Sequence, residues 1–127
     1  MSEISRIYYN KLVRDQIPAK IAAKKQECDI RKITDVQELQ QELFKKIKEE
    51  ATSLAMVRTK EDFLEEYSDL MVVLETIISQ LEISRDELLA ARKDNLLTKG
   101  AYKHGHYLNW SADVDYESNE SPQGIAL

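Results

Sequence analysis

The strongest constraint on this chain is a pair of apolar stripes at helical spacing, separated by a short connector near Arg58. Val36, Leu39, Leu43, Ile47, Leu54 and Val57 form the first, and Phe63, Tyr67, Leu70, Leu74, Ile77 and Leu81 the second. Intervals of three, four and seven residues place each set along one side of an α-helix. A connector this short folds the second helix back on the first, so the sequence predicts an antiparallel helical hairpin.

Helix-start signals extend the pattern. Thr34 with Gln37 reads as a capping box for the first of these helices, and Thr59 with Asp62 has the same capping character for the second. Ser84 with Glu87 opens a further helix carrying Leu88, Leu89, Leu96 and Leu97, which Gly100 is suited to end. Asp15 is the expected cap of an earlier helix reaching to about Gln26, with Pro18 tolerated in its first turn. Only three Gly and two Pro occur in 127 residues, which favours helix throughout. The expected fold is therefore all-α, a four- to five-helix bundle. Short extended segments are expected near both termini, over the β-prone residues 4–13 and the aromatic stretch Tyr102–Trp110. Residues 1–110 read as one helical domain, and the acidic, polar residues 111–127 as a weakly ordered tail.

The second hairpin helix is apolar nearly all round over residues 70–74 and 76–78, interrupted by Glu75. A helix of that kind is buried on every side. Two coverings satisfy it: association of helices between copies of the chain, or burial within the chain's own core.

Composition narrows the partners. A net charge of −5 leaves no basic excess for a nucleic acid polymer. No segment reads as a membrane span or a secretory leader, so a cytoplasmic protein is expected. Cys28 is the sole cysteine, which excludes an intrachain disulfide and a cysteine cluster for zinc.

Two acidic signatures carry the chemistry: Glu49-Glu50-Ala51-Thr52-Ser53 and Glu65-Glu66-Tyr67-Ser68-Asp69. At about 100° per residue Glu50 falls inside the apolar stripe of its helix, between Ile47 and Leu54. Glu66 flanks the stripe of the next helix, with Asp69 one turn on. Glu50 lies eight residues before Arg58 and Glu66 eight after it, so hairpin symmetry sets them opposite each other. Carboxylates gathered away from water raise one another's pKa. They bind protons, pair with basic side chains, or hold a cation. An all-oxygen set selects a hard ion, Mg²⁺ or Mn²⁺, over zinc. His104 and His106 also have a spacing open to metal binding, with incidental surface histidines as the plainer reading.

The chain resembles a known family at this point. Asn10-Lys11-Leu12-Val13-Arg14-Asp15-Gln16-Ile17-Pro18 is similar to the N-terminal signature of MazG-like proteins related to phosphoribosyl-ATP pyrophosphohydrolase. Glu49-Glu50-x-x-Ser53 stands where that family has Glu-Glu-x-x-Glu, and Glu66-x-x-Asp69 matches its Glu-x-x-Asp. Lys99-Gly100-Ala101-Tyr102 is similar to its Arg-Gly-Gly-Phe segment. The resemblance covers roughly residues 8–108.

The resemblance implies a helical, oligomeric protein, a homodimer or homotetramer, that hydrolyses nucleoside triphosphates or related nucleotides to a monophosphate and pyrophosphate. Clearance of non-standard nucleotides and action on phosphoribosyl-ATP are both within that class. Carried over, Glu50, Glu66 and Asp69 would be Mg²⁺ ligands. Glu49 and Glu50 would be the catalytic acids, with Glu49 a further ligand, a supporting group or a base for water. Lys11, Arg14 and Lys99 are candidates for phosphate, with Lys93 and Asn95 behind them. Ser53 departs from the pattern, since a hydroxyl replaces an acid and contributes no charge. It opens the alternative of a nucleotide-binding or structural helical oligomer with weakened or lost turnover.

Overall fold

A computed structural model describes residues 5–112, and among these residues every regular element is an α-helix. They are α1 (Ile17–Ala23), α2 (Val36–Ala55), α3 (Lys60–Gln80) and α4 (Arg85–Lys99). The chain divides into two compact units, Met1–Leu88 and Leu89–Leu127. The expected tail, residues 111–127, lies almost wholly outside the described residues.

In the first unit α2 and α3 pack along their length as the predicted antiparallel hairpin, joined by residues 56–59. Thr59 caps α3, its side chain accepting from the Asp62 backbone N–H at 3.1 Å. The cap of α2 is Asp35, not Thr34. The Asp35 carboxylate accepts from the Gln37 N–H at 3.1 Å and satisfies a donor that the helix leaves open. At the far end of the hairpin the Gln80 side chain donates to the Val36 carbonyl at 3.3 Å, tying the end of α3 to the start of α2.

The core is a seam between these two helices. Leu43, Val73 and Ile77 are buried, with Leu12, Leu39 and Ile47 packed against them. On α3 the seam runs Glu66, Leu70, Val73, Ile77 and Gln80. Phe63, Tyr67 and Leu81, expected in the core stripe, are instead exposed. The reason is the width of the apolar arc on α3: one helix partner covers only about a third of a helix's circumference, and α2 took the arc centred on Val73 and Ile77.

Helix α1 is shorter than expected and ends at Ala23. Gln16 is its N-cap residue, with no side-chain cap bond, so Asp15 does not cap it. Pro18 does sit in the first turn. Lys25 at φ 58° turns the chain out of the helix. Arg31 then donates to both oxygens of Glu38, at 2.8 and 3.0 Å, and holds the connector against the start of α2.

The expected extended segments form no strand among the described residues. Residues 5–10 are irregular, and Asn10 at φ 47° bends the chain before Lys11. In the second unit a turn closes between Tyr102 and Gly105, whose N–H reaches the Tyr102 carbonyl at 3.3 Å. Aromatic side chains supply β-propensity, but an isolated strand has no ladder to pair with. Helix α4 is capped as read from sequence. The Glu87 N–H donates to Ser84 Oγ at 3.1 Å and the Ser84 N–H to Glu87 Oε2 at 3.0 Å. Gly100 ends it at φ 75°, a conformation that a side chain disfavours.

Candidate functional site

The middle of the hairpin brings three acids together. Glu50 from α2 and Glu66 and Asp69 from α3 each offer a carboxylate oxygen, and these atoms lie within 4.8 Å of one another. All three are half-buried. The register follows from the short connector: a two-helix turn this tight leaves no slack, so residues equidistant from it meet. Asp69 joins because it stands one turn beyond Glu66 on the same side of α3.

The electrostatics show the strain of that gathering. Glu66 is held above the ordinary carboxylate range, first by burial and then by the neighbouring charges of Asp69 and Glu50. Basic side chains ring the cluster and offset part of its charge. Lys46 Nζ lies 3.8 Å from Glu50 Oε1, and Arg14 Nη1 lies 3.6 Å from Asp69 Oδ1.

Glu49 stands outside the trio. Its Oε1 accepts from Lys11 Nζ at 2.8 Å and its Oε2 from Lys46 Nζ at 3.0 Å. The two lysines hold its carboxyl below the ordinary range, Lys11 first. A carboxylate with both oxygens engaged and a depressed pKa is a poor proton acceptor. In this arrangement Glu49 holds two cations, Lys11 and Lys46.

Lys46 was not singled out in the sequence. Its side chain is only 13% exposed, which is low for lysine and marks it as part of the site. The available signal was its spacing, three residues before Glu49 and four before Glu50, which aims a lysine at both acids. Lys11 and Arg14, read as phosphate contacts, are found on the acids themselves. Residues 11–14 thus cross from α2 to α3, with Leu12 seated on the core between the two ion pairs. Beside this strap lies an open cavity of about 590 Å³ lined by Arg14, Asp15, Gln16, Ile17, Lys20, Glu65 and Asp69.

Ser53 is half-buried on α2, one turn beyond Glu50. Lys93, Asn95 and Lys99 are exposed on α4, in the second unit. His104 and His106 stack with ring centroids 5.5 Å apart, and Cys28 is exposed as a free thiol. No helix among the described residues is long and apolar enough to cross a membrane.

Neither a family model, nor a curated protein, nor a solved structure matches the chain.

Proposed function

We propose that the protein is a Mg²⁺-dependent nucleotide pyrophosphohydrolase, the activity implied by its resemblance to MazG-like proteins. The observation that carries this reading is the convergence of Glu50, Glu66 and Asp69 beside a ring of cations. The donor set fits a hard divalent ion. Its atoms are all carboxylate oxygens, and they lie within 4.8 Å of one another. The pKa of Glu66 is raised first by burial and then by the negative charges of Asp69 and Glu50.

Glu50, Glu66 and Asp69 would hold the metal, with Mn²⁺ as a substitute. When bound, Mg²⁺ supplies neutralisation of phosphate charge and a more acidic water. The chain's own residues do the rest. Arg14 and Lys46, which stand beside Asp69 and Glu50, would supply positive charge to the oxygens of a polyphosphate, Arg14 as a planar fork and Lys46 as a point charge. Glu49 keeps Lys11 and Lys46 in place through both of its oxygens. The cavity beside Arg14 and Lys20 has the volume of a small-molecule site and suits the remainder of a nucleotide.

A second reading, nucleotide binding without turnover, rests on Ser53. A hydroxyl on the turn after Glu50 leaves three acids where the resembling family has four. Pyrophosphate release from a panel of nucleoside triphosphates, with and without Mg²⁺, separates the two. Release that requires Mg²⁺ and is lost in Glu50→Gln supports the enzyme. Metal and nucleotide binding without release from any substrate supports the second reading.

A further inference from the structure

The acid trio has two unlike sides. Toward α2 stand Lys11 and Lys46, both bonded to Glu49. Two cations against one carboxylate leave a surplus positive charge there. On the α3 side is the open cavity of about 590 Å³. Arg14 and Asp69 belong to its wall, and Asp69 is also one of the three acids, so the cavity opens beside the trio. Glu65, one turn before Asp69 on α3, continues the same wall. Asp15, Ile17 and Lys20, at and before the start of α1, complete it with Gln16.

The charges on that wall differ from those around Glu49. Apart from Asp69, the cations Arg14 and Lys20 are balanced by the acids Asp15 and Glu65. Among the described residues, neither Asp15 nor Glu65 makes an ion pair or a side-chain hydrogen bond. Each is an exposed carboxylate that can only accept. Ile17 is half-buried and adds a small apolar surface between these polar groups.

A polyphosphate and a nucleoside suit opposite walls. The polyphosphate carries several negative charges and gains most where cations are in surplus. Carboxylates without a cation of their own repel it. A cationic ligand gains little from a wall whose charges cancel. A sugar is neutral and rich in hydroxyl donors, and a hydrogen bond from a hydroxyl to an ionised carboxylate is roughly twice as strong as one between neutral groups. We propose that the cavity is a ribose subsite, in which the 2′ and 3′ hydroxyls of a ribonucleotide donate to Asp15 and Glu65 while its phosphates cross the trio toward Lys46 and Lys11. This arrangement, which rests on the proposed function, fixes which way the nucleotide lies and selects ribonucleotides over 2′-deoxyribonucleotides. The cavity volume falls in the range of small-molecule sites, and Ile17 offers an apolar face to the ring.

Isothermal titration in the presence of Mg²⁺ tests the subsite. The probes are the four common ribonucleoside triphosphates and their 2′-deoxy counterparts, as α,β-methylene analogues that resist cleavage, together with inorganic triphosphate. For at least one base the ribonucleotide is expected to bind about tenfold or more tightly than the deoxynucleotide, since a donor removed from a charged acceptor forfeits that much. In Glu65→Gln and Asp15→Asn that ratio is expected to fall toward 1. Loss of a negative charge acts on both members of a pair alike, so the ratio isolates the hydroxyl contact. Both residues are exposed, and their replacement leaves the core of Leu43, Val73 and Ile77 intact. Ribonucleotide and deoxynucleotide affinities within about twofold for every base would overturn the proposal, as would a preference that survives both substitutions. If inorganic triphosphate binds with Mg²⁺ in either case, the subsite alone has failed and the proposed function stands. If neither triphosphate nor any nucleotide binds, both are rejected.

Discussion

Lys11 and Glu49 are 38 residues apart in sequence and 2.8 Å apart in space. This contact fixes the N-terminal strap to α2 through one oxygen of Glu49. With Lys46 on the other oxygen, Glu49 is a bracket for two cations.

The bracket makes a prediction about pH. Glu49 has a folded-state pKa below its ordinary value, so it binds fewer protons folded than unfolded. Its pairing therefore stabilises the fold above the ordinary carboxylate range and is lost as pH falls through the folded pKa. Glu49 and its first partner Lys11 are about two-fifths exposed, which limits the effect to about 0.5–1 kcal/mol. Urea denaturation of Glu49→Gln is expected to show that deficit at pH 7, shrinking as the pH falls below the ordinary carboxylate range.

Glu66 has the opposite sign. Its folded-state pKa is raised, so the metal-free fold is penalised above that pKa and gains stability as pH falls toward the ordinary value. Glu66→Gln removes the penalty. A higher melting temperature than wild type at pH 8 without divalent ions is the expected result, with the gap narrowing as the pH approaches 5.

The same substitution should reverse in the presence of metal. Binding confined to the folded state raises stability by about 2.7 kcal/mol at a ligand concentration 100 times Kd. Wild type is expected to gain melting temperature on addition of Mg²⁺ or Mn²⁺, and Glu66→Gln and Asp69→Asn to gain little. Equal shifts in all three proteins would place the ion elsewhere.

Under the proposed function Lys46 would oppose the metal by charge and support phosphate by charge. Removing a cation 3.8 Å from Glu50 lowers the repulsion on an incoming divalent ion by about 1 kcal/mol, an effect that salt reduces. Isothermal titration of Lys46→Gln should give Mg²⁺ affinity a few-fold tighter than wild type, together with weaker binding of a nucleoside triphosphate. A loss of both affinities would assign Lys46 a structural role instead.

The core and caps give a stability prediction free of any functional reading. Leu43 is buried at the centre of the seam, and Leu43→Ala should cost about 2–5 kcal/mol through lost burial and a residual cavity. Thr59→Ala removes the acceptor for the Asp62 N–H and should cost about 1 kcal/mol. Chemical denaturation measures both.

Much of the hairpin was legible in the chain. Helices α2, α3 and α4 follow from apolar spacing and from capping residues, and two of the four expected N-caps form as read, at Thr59 and Ser84, while those at Asp15 and Thr34 do not. Glu50 opposite Glu66 followed from counting outward from Arg58. Less legible was which part of the α3 apolar arc would face α2. Phe63, Tyr67 and Leu81 share the period of Leu70 and Ile77, and periodicity alone does not divide an arc that wide into two contacts. The cap at Thr34 and the extended termini were misread for a related reason: local propensity ranks neighbouring alternatives that differ by little energy, and backbone geometry or the lack of a pairing strand then decides.

The sequence by itself determined the helices, their antiparallel turn and the register that opposes two carboxylates, because each depends on residues close along the chain. Only the tertiary structure decided that Lys11 and Arg14 fold back onto Glu49 and Asp69, that Lys46 completes the ring, and that Glu49 stands aside from the trio. The contacts of Lys11 and Arg14 join segments 38 and 55 residues apart, where the entropy of closing the loop must be met by packing such as that of Leu12 on the core. The short-range pattern of a chain encodes its helices, while the position of a strap across them depends on the surface those helices have already formed.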